Sequence, residues 1–271
     1  MSENRTGAFY LFSNNALKII TCIFMVVDHF GMLFFPQHEV FRILGRIAFP
    51  IFAFLIAEGC KYTRNKTMHF AFLFSFGMVI QIAYGIITHD LLMSVLLTFS
   101  LSILVIYVMQ YMKKTLLDKE SRVENKIISV LFFLMVLFAV FFLTNFELFT
   151  GYKKLMFDYG FTGVLFPVII SLFDFSFLEE ERKLKVLSFL DGKWGRLLLT
   201  IIACVILSLF NSLVLYKMNL CWFSLLAIPF LLFYNQKRGN WNLKYMFYIF
   251  YPLHIVILEA IAMLISGSLL Y

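Results

Sequence analysis

The chain is a succession of apolar runs about 20 residues long, separated by short polar loops rich in lysine and arginine. A run of that length matches a helix crossing a ~30 Å hydrocarbon core. Nine such runs stand at about 16–36, 40–60, 68–88, 91–112, 126–145, 159–178, 196–216, 219–235 and 244–269. Hydrophobic residues make up 62% of the 271 and charged residues only 14%, whereas soluble domains average roughly 45–50% and 25%. The expectation is an all-α, polytopic transmembrane helical bundle of about nine spans, forming a single integral membrane domain over 1–271. The polar stretches between the runs, such as 113–126 and 179–196, are too short to fold alone. Residues 1–15, MSENRTGAFYLFSNN, lack the pattern of a cleaved signal peptide.

A formal charge of +7 raises the question of nucleic acid, but the basic residues sit in the loops, where membrane orientation and anionic lipid explain them. Lys61, Arg64 and Lys66 follow the second run. Lys113, Lys114, Lys119, Arg122 and Lys126 follow the fourth; Arg182, Lys183, Lys185, Lys193 and Arg196 the sixth; Lys237, Arg238 and Lys244 the eighth. The alternate loops carry far fewer cations, so the bias places the N-terminus on the cytoplasmic side. The location expected is the bacterial cytoplasmic membrane, with the lipid bilayer as partner and no nucleic acid. Cys22, Cys60, Cys204 and Cys221 are scattered singly, which predicts neither a disulfide framework nor a metal site.

Chemistry concentrates in the first two runs. Residues 16–59 read as two spanning helices joined by a turn, yet they contain Lys18, Asp28, His29, Arg42, Arg46 and Glu58. A charged side chain at the bilayer centre costs at least about 2.5–3.5 kcal/mol, so ionisable residues there face a cavity, pair with one another and mark function. Eleven residues separate Lys18 from His29, which puts both on nearly one helix face, about 16 Å apart along the axis. A cation and an imidazole so placed suit a long anionic ligand, although an end-of-helix lysine also snorkels to headgroups. Asp28 points about 100° away from His29 and has Arg42 and Arg46 as alternative partners. Arg42 and Arg46, spaced i, i+4, form a fork for a carboxylate or phosphate, with Arg42 also readable as an interfacial anchor. Pro50 is expected to kink the second span. Glu58 lies near the inner end, where Lys61 or Arg64 could balance it.

Further on, Thr98, Ser100 and Ser102 are suited to bonding neighbouring helices. In DYGFTGVLFP (158–167), Asp158 could cap a helix or receive a substrate amine. The last run opens KYMFYIFYPLHIVILE, in which Tyr245, Tyr248 and Tyr251 recur every third residue and His254 follows Pro252. A second histidine inside an apolar run, beside a broken helix, is a candidate site wall together with Tyr251. His89 and Asp90 read as a solvated turn, and His38 and His69 as span-edge residues without an assigned role.

The stretches LKIITCIFMVVDHFG (17–31), RILGRIAFPIFAFLIAEGCKYTRN (42–65), SVLLTF (94–99), DYGFTGVL (158–165) and KYMFYIFYPLHIVIL (244–258) resemble the TraX family, whose namesake is linked to N-terminal acetylation of a conjugative pilin. The Lys18-x10-His29 spacing is also similar to the basic-x10-His motif of acyltransferase family 3, which usually has arginine at the first position. These resemblances imply an acyl-CoA-dependent membrane acetyltransferase that moves an acetyl or acyl group from cytoplasmic acyl-CoA to an acceptor peptide, sugar or lipid. In that reading His29 is general base or transient acyl carrier, Asp28 orients it, and Arg46 stabilises an oxyanion. Lys18 and the inner basic loops hold the donor phosphates. Arg42, Glu58, Asp158, Tyr251 and His254 contact substrates, acetyl-CoA is the donor, and no metal takes part. Two other classes fit the same charges: a proton-coupled transporter with Asp28, His29, Arg46 and Glu58 as relay, and a membrane scaffold in which they are structural pairs.

Overall fold

The computed structural model describes residues 11–88, 91–146, 149, 155–175, 189–215, 220–241, 243 and 246–266. His89, Asp90, Arg182, Lys183, Lys185, Lys244 and Tyr245 lie outside them, as does the side chain of Tyr248. In chain order the helices are α1 (Asn14–Phe34), α2 (Glu39–Gly45), α3 (Ala48–Tyr62), α4 (Lys66–Thr88), α5 (Val95–Leu117), α6 (Val123–Thr144) and α7 (Gly160–Ile170). They continue with α8 (Lys193–Leu215), a 3-10 helix (Leu220–Ala227), α9 (Ile228–Leu232) and α10 (Met246–Ser266). The protein is an all-α polytopic membrane bundle. Among the described residues, six helical segments are long and apolar enough to cross a membrane, and Gly160–Ile170, Leu220–Leu232 and Ile249–Ile265 are shorter apolar helices. Each of the three corresponds to one of the nine apolar runs. The run at 159–178 is helical only to Ile170, a length of about 16 Å, because Ser171 turns the chain and a buried Asp174 follows. The run at 219–235 opens as a 3-10 helix and becomes α-helical at Ile228, with Pro229 in the first turn where its missing N–H costs nothing.

By its contacts the chain divides into two compact units, one made of residues up to Phe52 and from Lys217 on, the other of Ala53–Tyr216. In the second unit α5 is the centre, packed against α4, α6 and α7. Its buried hydroxyl residues Thr98, Ser100 and Ser102 are satisfied by backbone carbonyls, as a low-dielectric interior requires. Ser102 Oγ donates to Val164 O at 2.9 Å and Thr98 Oγ1 to Asp158 O at 3.0 Å, joining α5 to the α7 region, whereas Ser100 turns back to Leu97 O of its own helix. Two three-residue strands, β1 (Leu91–Met93) and β2 (Leu155–Phe157), pair in parallel with Leu91 opposite Leu155 and Met93 opposite Phe157. The apolar run at 91–112 therefore starts as strand and becomes helix only at Val95.

One end of this unit is a polar cluster built from the loops after the second, fourth and sixth runs. Lys61 Nζ lies 2.5 Å from Asp191 Oδ1, and Arg196 Nη2 is 3.7 Å from the same oxygen. Lys66 donates to Gln110 Oε1 at 2.6 Å, and Gln110 Nε2 donates to Asp174 Oδ2 at 3.0 Å. Lys113 Nζ donates to the carbonyls of Ser171 and Leu172, and the ring of His69 bonds Tyr107 Oη at 2.7 Å. Basic residues of alternate loops thus meet at one end of the unit, as spans that reverse direction at each turn require. The carboxylates that hold them, Asp174 and Asp191, look in sequence like ordinary loop residues. Removing Asp191 leaves the nearly buried cations of Lys61 and Arg196 without their carboxylate. Asp191→Ala is expected to lower stability by roughly 3–5 kcal/mol, the scale of breaking a buried pair. A detergent thermal melt of variant against wild type measures this.

Candidate functional site

The candidate site is built in the first unit, where α1 crosses α2 and lies beside α10. Ser13 starts α1, its Oγ accepting from Ala16 N–H at 3.2 Å. From there an uninterrupted apolar helix runs to Phe34, with Asp28 and His29 in its second half. The crossing with α2 depends on two glycines. A Cβ on Gly45 would lie 2.3 Å from Asp28 Cγ, and one on Gly31 would lie 2.0 Å from Phe41 Cβ, so neither position has room for a side chain. This close approach brings the Asp28 carboxylate against α2, where Arg42 Nη1 meets Asp28 Oδ1 at 3.0 Å. Arg42 Nη1 also lies 3.6 Å from Met32 Sδ, a second contact with α1.

The second run is not one continuous helix. α2 ends at Gly45, Arg46 and Ile47 form a turn, and α3 begins at Ala48. The proline expected to kink a span at residue 50 instead lies in the first turn of α3. Lacking an N–H, Pro50 cannot donate to the carbonyl of Arg46 four residues back, and the helix restarts after that point. The expected i, i+4 fork of Arg42 and Arg46 is altered accordingly. Arg42 is helical and ion-paired, while Arg46 caps α2, its N–H bonding Arg42 O and Ile43 O at 3.2 Å each, and acts on Asp28 through its charge.

His29 meets His254 of α10. His29 Nδ1 and His254 Nε2 are 2.7 Å apart, with ring centroids 4.9 Å apart and planes 27° from parallel. The other nitrogen of His254, Nδ1, lies 2.8 Å from Phe250 O. A carbonyl only accepts, so His254 Nδ1 carries a hydrogen, and in the neutral ring Nε2 then carries the lone pair. His254 Nε2 accepts from His29 Nδ1–H, and the remaining lone pair of the two rings falls on His29 Nε2. Which ring nitrogen keeps a lone pair is thus set by a backbone carbonyl. His254 is buried and stacks on Phe250, with ring centroids 4.9 Å apart.

Of the residues singled out from sequence, Asp28, His29, Arg42, Arg46, Tyr251 and His254 are thus gathered around this crossing, and Tyr251 packs edge-on against the His254 ring at 5.9 Å. Lys18 is on α1 itself, three turns before His29. The contact on the His29 ring comes from His254, while Asp28 pairs with Arg42, one of the two partners its place on the helix offered. Glu58 is buried in the part of α3 that belongs to the second unit, and Asp158 is an exposed residue there whose backbone carbonyl, not its carboxylate, is bonded by Thr98. The helix cap at α7 is Tyr159, with φ 61°, and not Asp158. Glu259, passed over in the sequence, is a further ionisable residue on α10, one turn beyond His254. Its signal was the same as that of Asp28, a carboxylate within an apolar run. Among the described residues, no three histidine, cysteine, aspartate or glutamate side chains are grouped to hold a metal ion.

Gly45→Ala is expected to destabilise the fold by about 1–3 kcal/mol, the usual cost of overpacking, and to push Asp28 away from Arg42. A thermal melt in detergent checks the first effect. A double-mutant cycle with Arg42→Met checks the second, since the coupling of Asp28 and Arg42 should shrink in the Gly45→Ala background.

A family model described as TraX protein matches residues 13–262. A curated protein, "Probable fimbrial assembly protein FimC, serogroup H1" of Dichelobacter nodosus, is 29% identical over 255 residues, covering 91% of this chain and 94% of its own length. An uncharacterised protein of Rickettsia prowazekii (strain Madrid E) is 30% identical over 82 residues, covering 30% of this chain and 29% of its own length. No solved structure matches the chain.

Proposed function

The chain belongs to the TraX family, and from that membership together with its intramembrane histidine pair we propose that it is a membrane-embedded acyltransferase of the bacterial cytoplasmic membrane that modifies a pilin-like or other surface acceptor. The observation that carries this reading is the chain from Phe250 O through His254 to His29, which leaves one defined lone pair at His29 Nε2. The relative from Dichelobacter nodosus is a probable fimbrial assembly protein, which fits an acceptor destined for the cell surface. The donor is an acyl-CoA, acetyl-CoA in the simplest case, arriving from the cytoplasmic side. The acceptor is an amine or hydroxyl of a peptide, sugar or lipid.

The acceptor nitrogen or oxygen attacks the thioester carbonyl carbon and forms the new bond, while His29 Nε2 takes the acceptor proton. The carbonyl π electrons move to oxygen, and the cationic Arg46 is the group proposed to stabilise that oxyanion. Collapse breaks the carbon–sulfur bond, and the departing thiolate recovers the proton from His29. His254 keeps the His29 ring in the tautomer that can accept it and shares the positive charge while the proton is held. Asp28 serves by holding Arg42 in place. Glu58 and Asp158 remain candidate substrate contacts on the second unit, and Lys18 a contact for the anionic donor.

His29→Ala is expected to reduce acetyl transfer or donor hydrolysis by about 10²–10⁴-fold, the range for loss of a general base, with expression and melting temperature nearly unchanged. The assay is release of labelled acetate or labelling of acceptor from acetyl-CoA by purified protein in detergent. Full turnover by this variant would overturn the mechanism. Binding of acetyl-CoA with no transfer or hydrolysis under any acceptor would favour the transporter class, which transport into proteoliposomes would then establish.

His254→Phe keeps the stacked ring but cannot accept from His29 Nδ1. A fall of about 10²-fold in kcat, as for a misplaced catalytic group, with little change in KM for acetyl-CoA is the expected result. The pH profile of the residual activity should move as well, since the tautomer and charge sharing of His29 are no longer set. A merely packing role for His254 would leave that profile in place.

A further inference from the structure

At the N-terminal end of α1 the first unit has a cleft of about 700 Å³ between the helix start and the segment 235–241. Its walls are held by backbone bonds. Asn14 N–H donates to Lys237 O at 2.8 Å, Asn15 N–H donates to Arg238 O at 3.2 Å, and Asn15 Nδ2 donates to Trp241 O at 2.6 Å. Gly239 adopts φ +88° and packs against Ser13 and Asn15, a conformation and a proximity that a larger residue would strain. The first N–H groups of α1 are therefore already bonded within the protein, so the helix end is not itself an anion site. Recognition falls to the lining side chains.

Among the described residues that lining includes two cations, Lys237 and Arg238, and no carboxylate, with Ser13, Asn15, Asn235 and Asn240 as neutral polar groups. Trp241 adds an indole that is 66% exposed. Two cations beside neutral polar groups and an open aromatic face suit a ligand carrying phosphates beside a flat base. The same helix leads from this cleft to the histidine pair. Asn15, Lys18, Cys22, Met25 and His29 follow one another at spacings of three and four, which puts them on one face of α1. Asn15 and His29 are about 21 Å apart along the axis. Of the residues between, Cys22 and Met25 are buried, so an arm on this face must displace them, and a small thiol and an unbranched thioether give way more readily than branched or aromatic side chains.

We propose that this cleft binds the phosphorylated nucleotide end of the acyl-CoA donor, with Lys237 and Arg238 on the phosphates and Trp241 against the base, so that the donor's arm lies along this face of α1 with its thioester toward His29. The proposal rests on the acyltransfer reading and adds to it a location for donor recognition, remote in sequence from the catalytic residues. It also gives the basic loop after the eighth run a role beyond orientation in the membrane. Lys18 falls one turn past the cleft, in position for a phosphate or an amide of the arm.

The test uses the full chain in nanodiscs and adenosine 3′,5′-bisphosphate as probe, which has the base and phosphates but neither arm nor thioester. Wild type should bind it and be inhibited by it competitively against acetyl-CoA. Lys237→Ala/Arg238→Ala should weaken the probe by about 10-fold or more, as expected for loss of charge-assisted bonds to phosphate. Trp241→Ala should weaken it independently. Acetyl-pantetheine, which lacks the nucleotide, should bind wild type and the double variant alike. Both substitutions are at exposed side chains, and Lys237→Gln with Arg238→Gln provides a second pair should the alanine variant melt early. Comparison of nanodiscs of neutral and anionic lipid separates the two sources of phosphate. If anionic lipid occupies the cleft and the probe neither binds nor competes, it is a headgroup site and the assignment to the donor is overturned. Normal acetyl-CoA turnover with no probe binding overturns the cleft proposal alone. Probe binding that the double variant loses, in a protein that never turns acetyl-CoA over, overturns the acyltransfer reading and with it the donor assignment, leaving a nucleotide site of another purpose.

Discussion

The ion pair between Asp28 and Arg42 is the interaction around which the first unit is arranged. Neither group could stand alone in an apolar run, because a lone charge in hydrocarbon has no water to turn to. Pairing requires the backbones of α1 and α2 to come close, and Gly45 is what permits it, since any side chain there would occupy the space of the Asp28 carboxylate. The pair and the crossing therefore stand or fall together. With α2 fixed against α1 in this way, the turn at Arg46 and Ile47 and the restart of α3 follow, because the chain must leave the crossing at that point.

The same rule, that polar groups in the membrane find partners inside the protein, explains the rest of the architecture. In α5, Thr98 and Ser102 spend their hydroxyl hydrogens on carbonyls near α7, which makes them ties between elements and not defects in an apolar helix. At the polar end of the second unit Gln110 acts as a relay, accepting from Lys66 and donating to Asp174. An amide in that position lets a cation and a carboxylate share a network without direct contact.

Much of this was legible in the sequence because the controlling signal was length. Apolar runs of about 20 residues announce helices, and six segments of the described structure have that length. Where the reading missed, the deciding forces were not local. The sequence offered Asp28 two arginines; the close crossing at Gly45 sets Arg42 Nη1 3.0 Å from its carboxylate, and the turn that follows puts Arg46 at the cap of α2. Leu91–Met93 is apolar like the helix it precedes, and it becomes strand because Leu155–Phe157, sixty-four residues on, lies beside it. Nothing in the hydrophobicity of the run at 159–178 marks Ser171 as an end, yet the helix stops at Ile170 and the buried Asp174 that follows bonds Gln110. His29 and His254 were each conspicuous as histidines within apolar runs, and their separation of 225 positions hid the fact that they touch.

In the acyltransfer site we propose, two histidines stand where a soluble enzyme often has a histidine and a carboxylate. A carboxylate bonded to the imidazole would bring a net negative charge into the apolar interior, unless a cation balanced it. Here the carboxylate is already neutralised by Arg42 at 3.0 Å, on a face of α1 turned away from the imidazole. The orienting task goes instead to His254, which is neutral and takes its own tautomer from Phe250 O. Neither neutral histidine adds charge to the crossing, and one lone pair remains, on His29 Nε2. A base of that kind stays uncharged until a proton reaches it, so the cost of charge in the membrane interior falls only on the step that uses the proton.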